Sequence, residues 1–175
     1  MNKNLIAITV LAASALTTQV VAADSGTVNF EGKITANACE IKSGSSAHKV
    51  TMGTLATNSF NGAGDTAGPK NFKLFLENCP TGVTTATVRF DGDDADGNKS
   101  VLALTGAGLP GVATGLGIQI TDSKNKVITL YQESSAYNLQ AGNNELDFVA
   151  RYYATAATVG EGSADAATNF TIVYP

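Results

Sequence analysis

An all-β sandwich of many short strands is the fold this sequence predicts, on three observations. Apolar residues recur at every second position in short runs, turn-forming residues separate the runs, and no window after the N-terminal segment keeps a helical period over about ten residues. Alternation of period two places one set of side chains on a core face and the other outward. Charged residues are few and glycine is frequent, 18 of 175 residues, which suits extended chain closed by tight turns.

The chain opens on a segment of a different kind. Lys3 precedes an apolar run from Leu5 to Leu16, interrupted by Thr9 and Ser14, and small residues follow at Val20-Val21-Ala22-Ala23. That order is a secretory signal peptide over residues 1–23, with cleavage expected after Ala22 or Ala23. The rival, a membrane anchor, needs roughly 18 to 20 apolar residues, and the run falls short of that. The exported remainder is long enough for one domain with a proper core.

The strand-like runs then follow in order. Val28, Phe30, Gly32 and Ile34 alternate with Asn29, Glu31 and Lys33; Phe72, Leu74 and Leu76 with Lys73, Phe75 and Glu77; Ala86, Val88 and Phe90 with Thr87 and Arg89. Leu116, Ile118 and Ile120 alternate with Gly117 and Gln119, and Leu146, Phe148, Ala150 and Tyr152 with Asp147, Val149 and Arg151. The last run sets Phe170, Ile172 and Tyr174 against Thr171 and Val173. Asn61-Gly62, Gly64-Asp65, Gly68-Pro69, Asp96-Gly97 and Gly142-Asn143 read as turns between runs, and Thr105–Gly115, with four glycines and Pro110, reads as a loop. No repeat, linker or second composition divides the chain.

The only two cysteines, Cys39 and Cys79, both follow the signal segment. In an oxidising compartment such a pair is normally a disulfide, and closing a loop of about 40 residues is worth roughly 4 kcal/mol in the chain-entropy model. The rival reading is a metal or redox pair; without CxxC spacing or a nearby His the two thiols make poor ligands.

Chemistry lacks its parts. The single histidine, His48, lies in a polar, turn-like stretch and reads as a solvated loop residue. No acidic pair sits in an apolar setting that would raise a carboxyl pKa. The acidic run Asp91–Asn98 fails as an EF-hand: position twelve is Leu102 counted from Asp91 and Leu104 counted from Asp93, where a bidentate Glu is required. Opportunistic calcium binding is the rival to a plain solvated turn there. Gly106-Ala107-Gly108 has neither the flanking strand and helix nor the lysine of a phosphate loop. With a formal net charge of −4 and no basic stripe, nucleic acid is not a partner. No enzyme, metal or cofactor is expected.

The two ends remain. Each is an alternating apolar segment with little charge. They read either as ordinary edge strands of a closed sandwich or as association surfaces that work by strand addition.

Several segments, in order, resemble one family. Gly26–Ile34 is similar to its donor strand, and Ala38-Cys39 and Asn78-Cys79-Pro80 to its disulfide halves. Val101–Leu104, Leu116–Ile120, Phe148–Thr155 and Ala164–Tyr174 are similar to its later strands. The chain is thereby identified as resembling the chaperone–usher pilins, specifically the type 1-like major fimbrial subunits. The resemblance implies an incomplete immunoglobulin-like β-sandwich (the pilin fold) that lacks its last strand and is completed by donor-strand exchange. It implies an N-terminal donor extension at 24–33 and a pilin domain at 34–175. Val28, Phe30 and Ile34 would enter a neighbour's groove and Gly32 would pass a constriction; Phe170, Ile172 and Tyr174 would border the chain's own groove and meet a chaperone. The implied partners are identical or related subunits, a periplasmic chaperone, an outer-membrane usher and, through the fibre, a host-cell receptor. The implied location is a fimbria on the surface of a Gram-negative bacterium. The alternative within the same fibre is a minor, adaptor or tip adhesin subunit.

Overall fold

The computed structural model describes residues 27–32, 38–42 and 49–175. The predicted signal segment 1–23, residues 24–26 and 33 of the predicted extension, Ile34 and His48 lie outside the described residues. The chain divides into two units, Met1–Ile34 and Thr35–Pro175. In the first, residues 27–32 form no strand or helix and all six are exposed.

The described residues of the second unit form nine strands: β1 (Glu40–Ile41), β2 (Thr66–Cys79), β3 (Thr85–Asp91), β4 (Asp94–Ala95), β5 (Asn98–Ala103), β6 (Leu116–Asp122), β7 (Tyr137–Asn138), β8 (Gly142–Ala154) and β9 (Asn169–Val173). One 3₁₀ turn, Thr57–Ser59, is the only helical element among the described residues. A six-stranded sheet runs β1-β2-β8-β6-β5-β4 and a three-stranded sheet runs β7-β3-β9. Every strand pair is antiparallel.

The alternation reads out directly as packing. Leu74 and Leu76 of β2, Val88 and Phe90 of β3, Ile118 and Ile120 of β6, and Leu146 and Phe148 of β8 are buried together. Phe148 joins the two sheets: its ring stacks on Phe72 at 5.3 Å and meets Phe90 edge-on at 5.4 Å and Tyr137 at 5.5 Å. Aromatic pairs at such spacings add to what their buried area contributes.

Two strands depart from the simple pattern in the sequence. Gly68-Pro69 does not end a strand; it forms a bulge inside β2, where the register to β8 slips between Ala67 and Lys70. Gly68 has φ +61°, a left-handed conformation that favours glycine, and a Cβ there would also push on the Leu55 side chain, 2.7 Å from its Cδ1. Proline, with no N–H to give, is tolerated at the same irregularity. β6 departs from simple alternation in another way: Gln119 and Thr121, on its outward face, are also buried. Gly117 on that face lets a neighbouring strand approach, since a Cβ would fall 2.7 Å from the Leu102 carbonyl oxygen.

The end of β6 is fixed by a buried carboxylate. Asp122, 1% exposed, accepts hydrogen bonds from the backbone N–H groups of Lys124 (2.9 Å), Lys126 (3.0 Å) and Ser135 (3.1 Å). Burial pushes its pKa up, but the Ser135 hydroxyl and these amides outweigh that and hold it below the ordinary carboxylate value. A depressed folded-state pKa gives stability that is present above the unfolded value, about 3.9, and lost as pH falls through the folded one. Asp122→Ala is therefore expected to cost roughly 2–3 kcal/mol at pH 7. The cost should shrink as the pH is lowered below about 4, checked by urea midpoints of both chains from pH 7 to 3; a pH-independent difference would refute the assignment.

Candidate functional site

The core is not closed along one side. Residues 49–53 run there outside any strand, with Val50 and Met52 half-buried between exposed Lys49, Thr51 and Gly53. Across from them lie 164–168 and β9. β9 pairs with β3 along one edge, from Thr87↔Val173 to Asp91↔Asn169, and has no strand on its other edge among the described residues.

Between these two banks is a cavity of about 590 Å³. Its floor is core: Phe72 and Leu74 of β2, Phe90 of β3, Ile118 and Ile120 of β6, and Tyr152 of β8. A second cavity of about 440 Å³ continues it past Gly53, Tyr152, Ala164 and Asp165, and carries Leu55, Phe60, Leu116 and Val159 in its lining. Residues 49–53 flank the first cavity and 53–57 the second, whereas 159–165 flank the second and 164–170 the first. The two banks therefore run in opposite directions along one trough.

The trough is apolar with polar rims. Met52, Phe72, Phe170, Ile172 and Tyr174 pack on the core while staying partly exposed. Tyr152 donates its hydroxyl to the Ala164 carbonyl at 3.5 Å; burial, and then the charge of Asp165, push its pKa up. Tyr174, raised by burial, reaches the Cys39 carbonyl at 3.4 Å. Free backbone groups on the β9 edge and an open apolar floor beside them are what an added strand needs: hydrogen-bond partners along one side and pockets for alternate side chains.

The residues singled out from sequence fall in three places. Phe170 and Ile172 share the inward face of β9, Tyr174 packs on the core just past its end, and of the three Phe170 lines the cavity. Cys39 and Cys79 are joined by a disulfide, S–S 2.09 Å. Val28 and Phe30 are 73% and 92% exposed, and no atom lies within 4 Å of where a Cβ on Gly32 would be. The bank at 49–53 escaped the sequence reading; its signal, Val50 and Met52 flanked by polar residues, is a single period long. Asp91–Asn98 forms the end of β3, β4 and a turn, and no cluster of three potential metal ligands occurs among the described residues.

Comparison with known proteins points one way. The family model for fimbrial proteins matches residues 28–175. The chain is 38% identical over 152 residues to the type-1 fimbrial protein, A chain, of Salmonella typhi, covering 83% of this chain and 82% of that one. Among solved structures, a Burkholderia pseudomallei antigen and type I fimbria protein matches with a TM-score of 0.61 at 37% identity, over 80% of this chain and 91% of that chain. The P pilus rod subunit PapA shares the fold, with a TM-score of 0.66 at 24% identity over 79% of this chain and all of the other.

Proposed function

From the premise that this chain belongs to the fimbrial protein family, we propose that it polymerises by accepting a neighbour's N-terminal strand in its trough and lending its own to the next subunit. The protein is a structural subunit of a surface fimbria of a Gram-negative bacterium, not an enzyme. The observation that carries the strand reading is the edge of β9 that no strand among the described residues pairs with, facing the bank at 49–53 across an apolar cavity.

In this reading Val28, Phe30 and Ile34 of one subunit enter the trough of another. Full burial of the three contributes roughly 5–9 kcal/mol at about 1.5–3 kcal/mol each. Main-chain hydrogen bonds to β9 add to this. Gly32 passes where the trough is too narrow for a side chain. Phe170, Ile172 and Tyr174 hold the edge against which the strand seats. Each subunit donates and accepts through different surfaces, so the contact is heterologous and generates an open filament. Before assembly the exposed trough is an aggregation hazard. A periplasmic chaperone that lends a strand of its own, and an outer-membrane usher where the exchange occurs, answer that need. Adhesion to a host-cell receptor is then a property of the fibre.

A synthetic peptide of residues 24–34 tests the reading on a chain that lacks residues 24–33. Saturable binding is expected. At a peptide concentration about 100-fold above Kd the stabilisation is about 2.7 kcal/mol, a Tm rise of roughly 5–10 °C. The same peptide carrying Gly32→Leu should bind at least about tenfold more weakly, a difference of roughly 1.4 kcal/mol. An unchanged Tm with the native peptide would sink the assignment.

A further inference from the structure

We propose that the Cys39–Cys79 disulfide is a load shunt: tension arriving along the N-terminal extension leaves the chain at Cys39 and enters β2 at Cys79. It thereby bypasses the bank at 49–57 that holds the next subunit's strand. The inference rests on the donor-strand reading above. In a filament so built, every subunit is pulled at its own extension and at the guest in its trough.

The order of elements along the chain makes the problem explicit. After the extension come Cys39, then β1, then the bank. β1 is two exposed residues long and pairs with β2 only at Glu40↔Glu77 and Ile41↔Leu76. Lys42 adds one backbone bond to Phe75 at 3.0 Å, and the Asn78 amide donates to Glu40 at 2.9 Å. Beyond it, the described residues up to Thr66 include no strand, so the bank is held by side chains such as Met52 and Phe60 packing on the core. Tension applied in series through β1 would meet exposed, sparse pairing first, the kind of region that opens most readily. Once β1 parted, the bank would be next, and the guest strand would lose one side of its seat.

The disulfide changes the path. Cys39 is covalently joined to Cys79, the last residue of β2. β2 pairs with β8 at ten positions, the longest ladder among the described residues, and β8 pairs in turn with β6. A pull that enters there is shared along the six-stranded sheet. β1 and the bank lie beyond the branch point, so tension from the extension does not pass through them in series, and the bank meets only the load that the guest itself puts on its seat. The Tyr174 hydroxyl, on the Cys39 carbonyl, ties the end of the opposite bank to the same anchor.

Force spectroscopy tests this on the mature chain with one handle at its N-terminus and the other on a 24–34 peptide seated in its trough. The oxidised chain is expected to lose the peptide in a single event. After reduction by a dithiol, or in C39S/C79S, an extension of roughly 50 Å should precede release, about 15 residues at ~3.3–3.6 Å each. The bound lifetime at fixed load should shorten about tenfold or more, as a change in dissociation rate. If the reduced chain refuses to hold its fold, grip supplies the control: an oxidised chain pulled through Lys49→Cys, well past Cys39, loads the bank before the disulfide is taut, and its bound lifetime should shorten likewise. Identical single-event release at equal lifetimes in all three overturns the shunt alone. A peptide that never seats in the relaxed, oxidised chain overturns the donor-strand reading, and the shunt with it.

Discussion

Deleting residues 24–33 is expected to abolish fibre growth from this subunit while leaving its trough able to take a strand. Val28 and Phe30, both lost in the deletion, are exposed in the single chain, so they support nothing there that their removal would break. In a filament, Val28 and Phe30 would together contribute about 3–6 kcal/mol of side-chain burial; loss of that amount weakens a link by roughly 10²- to 10⁴-fold, before the lost main-chain bonds are counted. Size-exclusion chromatography with light scattering would read multimers for the full mature chain and monomer for the deletion. The deletion should still bind the 24–34 peptide. Multimers of undiminished length from the truncated chain would remove the donor role from this segment.

The second large effect is on the fold itself. Phe148→Ala is expected to lower stability by about 3–5 kcal/mol, the range for truncating a buried phenylalanine. Its ring touches those of Phe72, Phe90 and Tyr137, so three contacts across both sheets are lost at once and no single neighbour can fill the gap. Because domains are stable by only about 5–15 kcal/mol, a sandwich short of one strand has little to spare. Urea unfolding at equal m-value would show the shift, and a loss below about 1 kcal/mol would mean that the core collapses around the cavity.

The parts of the molecule that the sequence made legible are those governed by a local rule. β2, β3, β6 and β8 were visible because one of their faces is core, which forces apolar residues into every second position. The disulfide partners were visible because there was no other cysteine to choose. β1, β4 and β7 were not visible, since a two-residue strand has no period. Residues 127–139 bury Ile128 and Leu130 in an alternation too short to read, and Leu139 apart from them, while crossing from beside β6 to beside β3. Gly68-Pro69 misled because the same dipeptide serves a turn and a bulge, and only the ladder on both sides tells them apart. For the trough, β9 could be read from Phe170, Ile172 and Tyr174, but the facing bank could not. A groove consists of a place left empty, and a list of residues names only what is there.

Opposed travel of the two banks has a consequence for polarity. Any guest ribbon entering the trough points with one shore and against the other, whichever end leads. Main-chain bonding alone therefore offers a ladder to a visitor of either sense, and the choice falls to the fit of its side chains on the floor. Under the proposed reading, a single berth could in this way take visitors of contrary heading in turn without the host being rebuilt.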